Sequence, residues 1–236
     1  MLENQSFYGK MSFGKVKGLQ TLWNINHRSD YDKAVDPEEY ELLIRSAGRN
    51  RLGELVADNL AGYLPINRNG VQSQVLDIAA GTGFISDSLF KKGYKVVSAD
   101  LSENFLKHLR KNRPYLEDPV KLNMNERFPF KDDSFNGITT VWANRYISNL
   151  DFFLHEVHRI LRPGGIFLWP VFEDESKDWK EMSSRKDQPT TPQELLNEAQ
   201  KAGFSEIKIL KRNTLTVMVK KLLHPKQIPT FIVAVK

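Results

Sequence analysis

Residues 74–100, QVLDIAAGTGFISDSLFKKGYKVVSAD, contain the pattern that decides the fold of this chain. Their opening apolar run, interrupted by Asp77, predicts a short strand, and the small residues at 79–83 predict a tight turn. Apolar residues then recur at helical spacing, and a second apolar run follows at 94–99. The stretch therefore predicts a strand, a glycine turn, a helix and a second strand.

The two glycines of the turn, Gly81 and Gly83, indicate a ligand site. Glycine allows positive φ and lets backbone N–H groups approach a ligand, which a side chain would prevent. Asp100 ends the second apolar run, and parallel strands end at the same edge of a sheet, so we expect its carboxylate beside the turn. There it can accept hydrogen bonds from a ribose diol, which is typical of a nucleoside site.

The spacing of the glycines in this turn does not fit Gly-x-Gly-x-x-Gly, the fingerprint of dinucleotide-binding sites. Counted from Gly81 the third glycine position is Ser86, and counted from Ala79 it is Phe84. Asp77 is unsuited to face a pyrophosphate but suited to a cationic group. A lone glycine turn after a strand occurs in many α/β proteins, so the assignment depends on further motifs in register downstream.

Three motifs together resemble the class I S-adenosylmethionine-dependent methyltransferases. They are Asp77-x-Ala79-x-Gly81-x-Gly83, then Asp100-Leu101-Ser102 with Leu106, and Glu156-x-x-Arg159-x-Leu161-Arg162-Pro163-Gly164-Gly165. In that family the glycine turn holds the methionine and ribose part of the cofactor. The resemblance covers about residues 72–236 and implies direct transfer of a methyl group from S-adenosyl-L-methionine.

The resemblance also implies the cofactor-binding residues. Leu101 corresponds to the residue that covers one face of the adenine, and Asn123, aligned on Pro129-Phe130, stands where the family has an acid that accepts from the adenine amine. An amide oxygen can accept the same bond without charge assistance. The full predicted set is Asp77, Ala79, Gly81, Gly83, Asp100, Leu101, Asn123, Met124 and Trp142.

The fold implied is a three-layer, doubly wound α/β fold with a seven-stranded sheet, mostly parallel with an antiparallel last strand. Residues 1–70 are expected to form an N-terminal helical lid before a cofactor-binding domain at 71–236, with helices at 37–46 and 51–63. A second departure from the family, Asn136 in place of an acid, is expected to affect stability more than chemistry.

No spacing identifies a general base. Glu173, Tyr146 and His27 are candidates from their expected positions, although an exposed loop histidine is the favoured interpretation of His27. His155 and His158 share a helix but have no third ligand at fitting spacing, so no metal site is predicted.

Composition limits the function classes. Cysteine is absent, which excludes disulfides and a cysteine nucleophile, and no apolar run is long enough for a membrane span, so we expect a cytoplasmic protein. The net charge of +5 is spread along the chain, which favours a small-molecule acceptor. Two alternatives remain open: a nucleic-acid methyltransferase, and a non-catalytic binding module that keeps the fold.

Overall fold

The protein is represented by a computed structural model, which describes residues 35–46, 50–171, 191–210 and 229–236. Seven strands of this part form one sheet: β1 (Gln74–Ile78), β2 (Lys95–Asp100), β3 (Val120–Lys121), β4 (Phe135–Thr140), β5 (Leu161–Val171), β6 (Ser205–Leu210) and β7 (Thr230–Val235). Their order is β3-β2-β1-β4-β5-β7-β6, and β7 runs antiparallel to both of its neighbours. The predicted fold class is confirmed.

Six α-helices surround this sheet in the described ranges: α1 (Pro37–Ser46), α2 (Asn50–Ala61), α3 (Phe84–Lys92), α4 (Glu103–Asn112), α5 (Leu150–Ile160) and α6 (Pro192–Lys201). Leu76 and Ile78 of β1 pack with α5 and α6, whereas Val75 packs with α2 and α3. Because successive strand residues point to opposite faces, this alternation builds the three layers.

Side-chain caps start several of the helices. Asp36 Oδ1 accepts from the backbone N–H groups of Glu38 and Glu39 at the start of α1. Ser102 Oγ accepts from Phe105 N at the start of α4, and Thr191 forms a capping box at the start of α6.

Two predicted boundaries differ from the structure. The apolar run at 137–142 predicts a strand over its whole length, but β4 ends at Thr140, because Trp142 adopts a positive φ of 56° and turns the chain away from the sheet. The Pro-Gly-Gly segment at 163–165 predicts a reversal of the chain before a strand that begins at 166, but it already lies within β5. There Gly164 N donates to Lys236 O, so the chain end pairs with it.

Two further features concern the N-terminal part and the strand starts. A short hairpin pairs Asn67–Arg68 with Val71–Gln72 before β1, which the sequence did not indicate. Asn136 Oδ1 accepts from Gln74 N at 3.0 Å, so this departure from the family bridges two strand starts away from the ligand edge.

The division at residue 70 stays a prediction, and residues 1–34 lie outside the described ranges. None of the helices described is long and apolar enough to cross a membrane.

Candidate functional site

A cavity opens at the carboxyl ends of β1, β2, β3 and β4, where an open α/β sheet is expected to bind ligands. With the open solvent at its mouth included, it encloses about 810 Å³ of empty space. Its lining consists of Tyr40, Ala79, Gly81, Asp100, Leu101, Ser102, Phe105, Leu122, Asn123, Met124, Asn125, Val141, Trp142 and Tyr146. All the predicted cofactor residues except Asp77 and Gly83 are therefore brought together here.

The glycine turn and Asp100 are hydrogen-bonded to each other. Gly81 N donates to Asp100 Oδ2 at 2.8 Å, and Ser102 N donates to Asp100 Oδ1 at 2.9 Å. Two backbone donors therefore fix the orientation of this carboxylate at the cavity. The arrangement joins the ends of β1 and β2, as the sequence predicts.

The two glycines of the turn differ in what surrounds them. A Cβ added at Gly81 would meet only Tyr40 Cε1, at an ordinary contact distance of 3.7 Å, so it would occupy cavity space. A Cβ at Gly83 would lie 2.4 Å from Leu109 Cδ2, inside the packing of the turn against α4. Gly83 thus has a packing reason to be glycine, and its cofactor contact stays a prediction.

Asp77 lies beneath the turn instead of on the cavity wall. It is 1% exposed, and its Oδ2 accepts from Ser86 Oγ at 2.6 Å, while Oδ1 has no hydrogen-bond partner among the described residues. Burial raises the pKa of Asp77 to about 7; the nearby Asp100 charge adds to this rise, and the Ser86 hydrogen bond opposes it.

The buried layer around Asp77 is polar. Thr139 is its register partner on β4, Ser98 is its partner on β2, and Ser98 Oγ donates to Ser86 Oγ at 2.8 Å. In the described part of the chain, the hydroxyls of Thr82 and Thr139 are buried without a hydrogen-bond partner. A buried hydroxyl without a hydrogen-bond partner lowers stability unless a ligand or a water molecule satisfies it. This layer is therefore suited to contact with a polar or cationic group of a ligand.

The side chain of Asn123 forms its hydrogen bonds within the loop that follows β3. Its Oδ1 accepts from Asn125 N at 3.1 Å and from Asn125 Nδ2 at 3.2 Å, and its Nδ2 donates to Glu126 Oε1 at 2.7 Å. Both lone pairs of this amide oxygen are occupied, so the predicted adenine contact requires the side chain to exchange partners.

Sequence reasoning missed Asn125, which ties two cavity walls together. Its Nδ2 donates to Tyr146 O at 3.0 Å, and its Oδ1 accepts from Ser148 N and Ser148 Oγ. Its only sequence signal is its position in the loop that follows β3. Tyr40, on α1, was also missed, because nothing in the sequence of that helix marks it as facing the glycine turn.

Trp142 and Tyr146 form an aromatic wall of the cavity. The ring of Trp142 lies beside Phe84 with the centroids 5.7 Å apart, and Tyr146 follows in a short 3₁₀ helix, Asn144–Tyr146. Tyr146 is thus the general-base candidate that reaches the cavity. Glu173 and His27 lie outside the described residues.

The two histidines considered as metal ligands have other neighbours. His155 Nδ1 lies 2.9 Å from Asp151 O, and the ring of His158 packs edge-on against Phe204 at 5.1 Å. Within the described ranges, no three His, Cys, Asp or Glu side chains are grouped to hold a metal ion. The absence of a metal stays a prediction.

The architecture around this cavity is that of the class I, Rossmann-like S-adenosylmethionine-dependent methyltransferases. Residues 76–169 match the family model described as "Methyltransferase domain". The family resemblance seen in the sequence is thereby confirmed.

The curated relatives carry methyltransferase names. The chain is 36% identical over 92 residues to a demethylmenaquinone methyltransferase of Streptomyces avermitilis, covering 39% of each chain. It is 36% identical over 152 residues to one of Chlorobaculum parvum, covering 62% of this chain and 60% of the relative. The match thus spans about two fifths of the length of the first relative.

Solved structures agree on the fold. A methyltransferase of Thermotoga maritima, described as a possible histamine N-methyltransferase, superposes with a TM-score of 0.61 at 19% identity, covering 89% of this chain and all of that one. Phosphoethanolamine N-methyltransferase 2 of Haemonchus contortus, bound to S-adenosylhomocysteine, gives a TM-score of 0.54 at 17% identity and covers 77% and 52%.

The residues at the cavity fit the cofactor of this class. The fixed carboxylate of Asp100 faces the cavity as an acceptor, and the space above Gly81 is open to a ligand. The buried Asp77 oxygen has no partner in the described protein, and its negative charge suits a ligand that carries a sulfonium and an ammonium group.

Proposed function

We propose that the chain is an S-adenosylmethionine-dependent methyltransferase that moves a methyl group to a small-molecule acceptor by direct displacement. One observation carries the proposal. The hydrogen-bonded pair of Gly81 and Asp100 and the aromatic wall of Trp142 and Tyr146 line the same cavity. One side suits a nucleoside, and the other lies where an acceptor could approach it.

In this proposal each side chain has a binding role. Asp100 accepts hydrogen bonds from the ribose diol, and Leu101 and Met124 supply apolar surface for the adenine. Asp77 stabilises the cationic end of the cofactor through its charge, and Gly81 leaves the space that this end needs. Bound S-adenosylmethionine supplies a methyl group already activated by the sulfonium.

The protein then has to align the acceptor and exclude water. Tyr146 is the residue we propose for contact with the acceptor, because its position at the aromatic wall lets its hydroxyl hydrogen-bond to an oxygen or nitrogen acceptor. The segment that carries it is held by Asn125, which fixes the distance between this wall and the loop after β3.

The lining supports an acceptor with a flat apolar part. Phe105, Val141, Trp142 and Tyr40 offer aromatic and aliphatic surface, which favours planar organic molecules over highly charged ones. The Streptomyces and Chlorobaculum relatives are named for demethylmenaquinone, and a relative from Erwinia pyrifoliae, 34% identical over 112 residues, is named for malonyl-acyl carrier protein. We propose the first kind, a quinol-like or other aromatic hydroxyl compound, as the class to test first.

The test combines cofactor binding with methyl transfer. Calorimetric titration with S-adenosylhomocysteine should show one site, and radioactive methyl from S-adenosylmethionine should appear in an aromatic hydroxyl acceptor from a panel that also contains amines and carboxylates. Absence of any binding would refute the cofactor assignment. Binding without transfer to any acceptor would favour a non-catalytic module.

A pair of glycine variants tests where the cofactor lies. Gly81→Ala should weaken S-adenosylhomocysteine binding by about tenfold or more, because the added Cβ enters the cavity, while the protein still folds. Gly70→Ala is the matched control: Gly70 has a similarly positive φ of 77° with nothing within 4 Å of an added Cβ. Gly70→Ala bears the same backbone strain and should bind S-adenosylhomocysteine normally. Equal affinities of the two variants for this ligand would contradict the position proposed for the cofactor.

A further inference from the structure

Helix α1 contributes Tyr40, a cavity residue that lies over Gly81. Tyr40 Cε1 is the nearest atom to the position of a Cβ on Gly81, at 3.7 Å. The Tyr40 ring packs edge to face on Phe105 of α4, with the centroids 5.5 Å apart. Tyr40 therefore covers the turn only while α1 is docked on α4.

Apolar burial alone holds α1 weakly. Ile44 is the one residue of this ten-residue helix that is fully buried. A helix of this length is marginal by itself in water, so its position depends on contacts with the rest of the protein. Polar contacts must supply much of the attachment.

Those polar contacts converge on Glu41, the neighbour of Tyr40. Glu41 Oε1 accepts from Arg113 at 2.8 Å, and Glu41 Oε2 lies 2.6 Å from His108 Nε2. The side chains of His108 and Arg113 are only 7% and 6% exposed. Asn112 Nδ2 lies 3.0 Å from His108 Nδ1, an arrangement in which Asn112 donates to Nδ1 and His108 donates from Nε2 to Glu41.

This carboxylate is charged in the folded protein. Burial acts to raise the pKa of Glu41, but hydrogen bonds from Arg113, Arg45 and His108 outweigh it and lower the pKa to about 2. Arg113 also lies beneath the turn, with its Cδ 3.1 Å from the position of a Cβ on Gly83. The same ion pair thus contacts both the underside of the turn and the helix that covers it.

We propose that Glu41 is a positioning residue: it locks α1 onto α4 through His108 and Arg113 and so keeps Tyr40 over the Gly81 turn. This inference rests on the proposed function, because the covered space is the one assigned to the cofactor. Undocking α1 uncovers the cavity, and the apparent cofactor affinity then falls with the fraction of molecules in which α1 is docked.

The test measures affinity for S-adenosylhomocysteine by calorimetry. Glu41→Gln keeps the shape of the side chain and removes the charge, and should weaken binding by about tenfold or more. Tyr40→Ala leaves the ion pair intact and should weaken binding as well. Glu38→Gln is the matched control on the same helix: Glu38 also pairs with α4, through Lys111 at 3.2 Å, but is 69% exposed, and we expect a change of less than about twofold.

Urea unfolding of each variant without ligand separates positioning from folding. A residue that only supports the fold lowers the apparent affinity no further than the measured unfolded fraction requires. A positioning residue lowers the affinity of a variant that is fully folded before the ligand is added. If Glu41→Gln does not fold, His108→Leu, which leaves the Arg113 pair in place, decides instead by the same measurement.

The outcomes distinguish the two proposals. No binding by the unaltered protein would overturn the proposed function. Normal binding by the unaltered protein, matched by Glu41→Gln or by its His108→Leu replacement, would overturn the positioning role of Glu41 while leaving the proposed function standing.

Discussion

Replacing Asp77 with asparagine should stabilise the ligand-free protein at neutral pH while weakening cofactor binding. Asp77 is fully buried, and that burial, with the Asp100 charge adding to it, raises its pKa from the usual 3.8 to about 7. Between pH 3.8 and about pH 7, the folded protein therefore keeps a proton on Asp77 that the unfolded chain has already released. Stability must fall as the pH rises through this window.

The magnitude follows from the size of the shift. About three pKa units at about 1.4 kcal/mol each make the ionised Asp77 cost about 4 kcal/mol above pH 7. Asparagine removes this cost but places an amide N–H where Oδ1 has no partner in the described protein, at a penalty of about 1–3 kcal/mol. The variant should gain about 1–3 kcal/mol at pH 8 and lose stability near pH 4.

Urea unfolding at pH 5 and pH 8 measures both effects. The stability difference between Asp77→Asn and the unaltered protein should shift by about 3 kcal/mol in favour of the variant between these pH values. Asp58→Asn is the control, since Asp58 is 62% exposed, and it should follow the unaltered protein. The reasoning is refuted if Asp77→Asn is less stable at pH 8 and keeps the pH dependence of the unaltered protein.

The same variant has a functional readout. The charge that costs stability in the empty protein is the one we assign to the cationic end of the cofactor, so Asp77→Asn should bind S-adenosylmethionine more weakly. Calorimetry at pH 8 checks this, and unchanged affinity would remove Asp77 from the cofactor site.

Two further substitutions test contacts that stabilise the fold. Gly83→Ala should destabilise the protein by about 2–4 kcal/mol, because its Cβ would lie 2.4 Å from Leu109 Cδ2 at a positive φ; a melting temperature like that of the unaltered protein would contradict this packing. Glu156→Ala should cost about 3 kcal/mol in urea unfolding, because it removes the 2.6 Å partner of Arg159 and the acceptor of the buried Phe128 N–H. Asp151→Ala, on the exposed face of the same helix, is its control and should change stability by less than about 1 kcal/mol, whereas equal costs for the two would refute the role of the ion pair.

Much of the fold could be predicted because its signals are local. The capping side chains of Ser102 and Thr191 act on N–H groups three residues away, and the strand and helix periods depend on neighbours within a turn or a strand. The glycine turn and Asp100 could be paired because parallel topology brings strand ends together. Where a boundary was wrong, as at Trp142, a backbone conformation set by the surrounding structure intervened.

The sequence by itself thus determined the fold class and the edge of the sheet at which a ligand would lie. The tertiary structure decided which residues face that ligand. Gly81 and Gly83 look alike in the sequence and share a positive φ, yet one borders the cavity and the other packs against α4. Tyr40, Asn125 and the buried pair of Glu41 with Arg113 appear only in three dimensions, because each acts on residues far from it along the chain.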